Sequence, residues 1–241
     1  MDKPQVGDQL HKHERSSRTA GALTHSARLR DALSDMYSSG DDATFRHDRA
    51  VENLKRDPEE MMVAISAAYG HCLADDYPQR HALVSAASVI GHECTLPFLA
   101  SVALSDIPPE AASDPHSFST VAEETMIRMT AVDGIARHAS RGVGPATELL
   151  LRCVESPAFS IRRAAVTALM ATPEGPRLRP RIEALIPKDQ QFIFDLKKVS
   201  VREAIQVRDP TRHLSKAYDE SVEQKPRIAE RGHGSDRPKT K

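Results

Sequence analysis

Ser160-Ile161-Arg162-Arg163-Ala164-Ala165 is a pattern that recurs along this 241-residue chain. Met126-Ile127-Arg128-Met129-Thr130-Ala131 precedes it and Ser200-Val201-Arg202-Glu203-Ala204 follows it. Laid over one another, the first two keep side-chain size position by position. Ile161 falls on Ile127, Ala165 on Ala131, Ala168 on Gly134 and Leu169 on Ile135. Self-similarity over a few tens of residues, carried by helix-forming segments, predicts a stack of helical hairpins. Small residues at Ala164, Ala165 and Ala168 let helix backbones approach, while Ile161 and Leu169 fill the gaps between repeats.

Composition agrees with an all-α chain. Apolar residues make up 39% and aromatic residues 4%, with no Trp. A β-sandwich draws on β-branched and aromatic side chains, whereas an Ala-rich core suits helix on helix. Six Phe and four Tyr leave little for stacking a cofactor or a nucleobase. Cys72, Cys94 and Cys153 are odd in number and form no CxxC pair, which points to apolar packing in a reducing cytoplasm. The N-terminus shows no apolar signal stretch and no run approaches a membrane span. Arg outnumbers Lys and Ala is abundant, a composition that points to a bacterial source.

The net charge of −1 argues against a general polyanion binder. Its distribution is uneven: residues 31–176 carry 21 Asp and Glu against 11 Lys and Arg, and the bias reverses beyond 176. Residues 1–23 have almost nothing to bury and are expected to be disordered. Ala27 to Tyr37 predicts one short helix with Leu29, Leu33, Met36 and Tyr37 on one face. Asp57-Pro58-Glu59-Glu60 reads as a helix start, with Asp57 as N-cap. Helices are predicted over 80–90 (closed by Gly91), around 96–104, over 121–139, from Pro145, over 160–171, over 176–186, and across 190–207. Pro180 restricts the helix at 176–186 to a short or distorted first turn. Pro108, Pro109 and Pro115 break the segment between 105 and 120, a loop long enough to suggest a function. The resulting domains are a polar N-terminal segment (1–42), a helical body (43–209) and a basic, disordered tail (210–241).

An Ala-filled helix led by an apolar-Arg pair, followed by a short turn and a Leu-rich helix, resembles the HEAT repeats of the PBS-lyase-like kind. Ser156 to Ala171 matches best, Val121 to Ala139 next, Val201 to Ile205 as a fragment, and Arg80 to Gly91 loosely, because Leu83 stands where Ala165 does. The resemblance implies a HEAT-like solenoid of three to four hairpins over roughly residues 45–207. Its function is left open, since such repeats serve many partners. Arg128, Arg162 and Arg202 are expected to form a ladder that bonds helix-terminal carbonyls or an acid of a neighbouring repeat. A ligand-binding arginine row is the alternative.

Eleven histidines invite a metal reading, because HEAT-repeat hydroxylases with a di-iron centre carry repeated His-Glu pairs. His92-Glu93 is such a pair, but it falls in a turn, His81 is followed by Ala82, and no second pair recurs in register. No P-loop, GxSxG, HExxH or CxxC is present. No cofactor and no catalytic residue is therefore expected. The basic C-terminal third, with Arg177, Arg179, Arg181, Lys197, Lys198 and Arg202, is the remaining lead. It either faces an acidic partner or nucleic acid, or caps the stack as a solvated end. The expected function is protein binding, as a scaffold, adaptor or inhibitor, through the groove lined by the second helix of each hairpin. Nucleic-acid binding through the basic third is the alternative, and a metalloenzyme the third class.

Overall fold

Helices supply every regular element of residues 25–111 and 118–196, the residues that a computed structural model of the chain describes. A first helix, α1, covers 25–36, followed by α2 (Ala43–Lys55), α3 (Pro58–His71) and α4 (Tyr77–Ile90). A 3-10 turn (Glu93–Thr95) leads into α5 (Leu96–Ala103). Then come α6 (Thr120–Ala139), α7 (Gly144–Val154), α8 (Phe159–Met170), α9 (Gly175–Leu185) and a 3-10 segment (Lys188–Asp195). The described residues contain no strand, so this part of the chain is all-α. The predicted disorder of 1–23, the helix expected beyond 196 and the basic tail lie outside them.

Local chemistry explains most boundaries. Pro58 and Pro78 sit in the first turns of α3 and α4, where the missing N–H costs no hydrogen bond. The Asp76 carboxylate accepts from the Gln79 N–H at 3.3 Å, so α4 begins three residues before its predicted start. Asp57 does not cap α3 with its side chain; the carboxylate pairs with Arg28 of α1 at 2.5 Å instead. Tyr37 is exposed, while Leu29 and Ala32 carry the buried side of α1. The polar α2 has no counterpart in the sequence reading, and it is held by Ala50 and Leu54 alone among its fully buried residues. Pro180 lies inside α9, which runs through it.

Packing orders these helices in two layers. α2, α4, α6 and α8 follow one another in direct contact, and α3, α5, α7 and α9 lie against them with looser contact among themselves. α6 is the centre, packed by α4, α5, α7 and α8. Burial follows the repeat register: Ile127 and Ile161, Ala131 and Ala165, Ile135 and Leu169 are all inaccessible to solvent. Each large member contributes about 1.5–3 kcal/mol on burial. Ala164 and Ala168 are only partly buried, because the helix crossing centres on Ala165. Gly134 marks the tightest approach. A Cβ there would stand 2.6 Å from Ser88 Oγ and 2.9 Å from Leu99 Cδ1, so α4 and α5 close on α6 where only glycine fits.

Candidate functional site

The two described recurrent arginines, Arg128 and Arg162, are buried and bonded within the chain. Arg128 is 3% exposed, and its Nε donates to the Ser105 carbonyl at 2.8 Å. Its Nη2 reaches the Asp106 carbonyl, and its Nη1 reaches the carbonyl (2.9 Å) and carboxylate of Glu124. Arg162, also buried, donates Nε and Nη2 to the Ser156 carbonyl at 3.1 and 2.7 Å, and Nη1 to Gln190 Oε1. Ser105 and Ser156 lie just past the ends of α5 and α7, whose last carbonyls lack helical partners. Each arginine thus ties the end of one helix to the next. Arg202, the third expected rung, lies outside the described residues.

A rung at the other end was not anticipated. Arg80 of α4 donates to the Ala74 carbonyl (2.7 Å), just past α3, and to the Tyr69 hydroxyl (3.2 Å). It also holds both carboxylate oxygens of Glu124, the second at 3.1 Å. Glu124, 4% exposed, is therefore shared by Arg80 and Arg128, which joins the connection after α3 to the one after α5. Burial pushes the Glu124 carboxyl up, but hydrogen bonds from Arg80 and Arg128 outweigh it and hold the group below the ordinary carboxylate range. The sequence held a signal for both: Arg80 stands in the loose repeat where Arg162 stands, and Glu124 precedes Arg128 by one helical turn.

The basic third is partly neutralised. Arg181 forms two bonds of 2.8 Å to the Glu148 carboxylate of α7, and Arg179 pairs with Glu183 at 2.7 Å and lies over the Phe194 ring. Arg177 pairs with no acid among the described residues. Lys197 and Lys198, like Arg202, lie outside them.

Surface chemistry concentrates on α6 instead. With four helices packed around it, its remaining side presents Ala122, Met126, Met129, Asp133 and Arg137, all exposed and spaced along one stripe. Met126 is 52% exposed and Met129 36%. On the neighbouring α8, Ser160 and Arg163 are exposed at the positions that match Met126 and Met129. Phe159, at the start of α8, stacks on Phe192 with ring centroids 5.8 Å apart. A cleft of about 630 Å3 opens between the Ser105–Pro109 stretch and the α7–α8 turn. Its apolar floor includes Leu104, Ile107 and Ile161, and Arg128 and Arg162 hold its two walls by their carbonyls.

Among the described residues the histidines form no metal-binding cluster. His81 Nε2 lies 3.1 Å from Thr130 Oγ1, and His92 Nδ1 accepts from the Cys94 N–H in the turn before α5. Among the described residues no three His, Cys, Asp or Glu side chains gather closely enough to hold a metal ion. No described helix is long and apolar enough to cross a membrane. No family model, curated protein or solved structure matches this chain.

Proposed function

We propose that the chain is a HEAT-like solenoid that binds another protein across the exposed face of its second-helix layer. Each Arg-led helix is paired with the helix before it (α3–α4, α5–α6 and α7–α8) and so is the second of its hairpin, where the sequence motif reads it as the first; the chain has no catalytic chemistry of its own. One observation carries this reading: among the described residues, the central helix leaves Met126 and Met129 uncovered on the side away from α4, α5, α7 and α8. Methionine is adaptable and enriched at protein interfaces, and an uncovered apolar stripe edged by polar residues favours a docking surface. Arg163 on α8 and Asp133 on α6 supply polar residues of both signs beside the stripe. Two of the three described arginines of the basic third are already matched by acids of the same chain, which weighs against nucleic acid.

A photo-crosslinking residue at Met126 tests the proposal, with the same residue at Val63, exposed on α3 of the other layer, as control. The expected result in an extract of the native host is one dominant protein adduct from position 126, absent from position 63. Met126→Glu with Met129→Glu should abolish the interaction with that adduct's protein while melting like the parent. Equal labelling from both positions, or capture of nucleic acid in place of protein, would overturn the reading.

A further inference from the structure

Four segments meet at one buried histidine. His138, in the last turn of α6, is 1% exposed. Its Nε2 lies 3.0 Å from Thr95 Oγ1, in the turn between α4 and α5. The Thr95 hydroxyl already donates its proton to the His92 carbonyl at 2.9 Å, so Thr95 Oγ1 accepts here and His138 Nε2 carries the proton. His138 Nδ1 faces Arg141 Nη2 at 3.2 Å. A guanidinium can only donate, so Nδ1 is bare and accepts. The network therefore specifies one tautomer of the neutral ring. Arg141 is itself fixed through Nε to the Arg137 carbonyl at 3.0 Å. Its guanidinium lies over Gly91, the left-handed residue (φ 71°) that ends α4, within 3.3 Å of where a Cβ would stand. The Val143 N–H, before α7, closes the joint by donating to the His138 carbonyl at 3.2 Å.

We propose that His138 is an acid-sensitive pin, which holds the α4–α5 and α6–α7 connections together when neutral and releases them when it takes a proton. A proton on Nδ1 places an N–H against the Arg141 guanidinium, a donor against a donor and a cation against a cation. Arg141 has to leave, and its cover over Gly91 goes with it. The charged groups facing the ring are Arg141 and His92, which oppose protonation, and Glu93, which favours it. Burial first and Arg141 second hold the imidazole below the ordinary histidine range. The sign follows. The unfolded chain binds the proton from about pH 6.5 downward, before the folded chain does, so stability is complete above that pH. It falls as pH drops toward the folded pKa.

NMR titration of the histidine ring protons and amide hydrogen exchange test this together. His138 should titrate below the exposed histidines. Protection at the Thr95 and Val143 amides, corrected for intrinsic exchange rates, should hold above about pH 6.5 and fall as pH drops toward the folded His138 pKa, while that of mid-helix α8 amides stays. Arg141→Ala, at an exposed position, should raise the His138 pKa and flatten the pH dependence of melting. His138→Gln, which keeps a donor but cannot titrate in this range, should remove that dependence if it folds. A parent His138 pKa at or above that of the exposed histidines would overturn the proposal, and so would an Arg141→Ala variant whose His138 pKa does not move.

Discussion

Replacing Glu124 with Gln removes one charge and almost no volume from the centre of the arginine network. In the parent, the carboxylate receives three guanidinium hydrogen bonds, from Arg80 Nη1 and Nη2 and from Arg128 Nη1. The side chains of Arg80 and Arg128 are 13% and 4% exposed, so neither cation can recover full hydration in the folded state. Gln offers one carbonyl oxygen and turns an NH2 donor toward guanidinium groups that only donate. Breaking a buried ion pair from one side costs about 3–5 kcal/mol. That is a large share of the roughly 5–15 kcal/mol by which folded domains are stable. With an m-value of about 1–3 kcal/mol per molar urea, the midpoint should fall by at least about 1 M. The pH dependence supplies a second check. Because the folded Glu124 pKa is depressed, its contribution is intact above roughly pH 4.3 and is lost as pH falls toward the folded value. The gap between Glu124→Gln and the parent should therefore narrow in acid. A loss below about 1 kcal/mol, which is the range of surface pairs, would refute the claim that this network is desolvated and holds the layers.

Ala165→Leu should lower stability by about 1–3 kcal/mol in urea denaturation, because Ala165 has no accessible surface between helices; parent-like unfolding would mean the register is wrong. Gly134→Ala should also destabilise despite a gain in helix propensity of about 1 kcal/mol. Ser88 Oγ, in the way at 2.6 Å, is fixed by bonds to the Val84 and Thr130 carbonyls, and a variant that melts higher would show that the crossing relaxes. Burial pushes the Cys153 thiol up to about 11, so at pH 8 iodoacetamide should modify the half-buried Cys72 and Cys94 well before Cys153. Peptide mass mapping reads the order directly, and early modification of Cys153 would contradict its burial.

Sequence periodicity located what repeats, and it missed what closes the network between repeats. Ile127, Ala131 and Ile135 are read from the chain because an apolar stripe at helical spacing has one use, which is burial. Arg128 and Arg162 could be placed beside them for the same reason, since a polar residue that recurs within an apolar register must meet its own partners. Most of those partners are the carbonyls of Ser105, Asp106 and Ser156, and carbonyls carry no sequence signature. Every residue has one, so only coordinates say which are left over. His138 was hidden differently: it is polar in a chain where most polar residues are solvated, and burial alone distinguishes it. α2 escaped because only Ala50 and Leu54 of its thirteen residues are fully buried, while Phe45 stands in solvent, so no apolar stripe marks it in one dimension. Met126 and Met129 lie off the Ile127, Ala131 and Ile135 stripe and align with Ser160 and Arg163 of the next repeat, so the register places them outside the core, although nothing in the sequence marks that side as a binding face. Their exposure agrees with the layer arrangement, in which α6 packs on α4, α5, α7 and α8 and no other described helix lies over the stripe. A large apolar residue that the repeat register assigns to solvent, and that packing leaves there, is therefore the place to look for a partner.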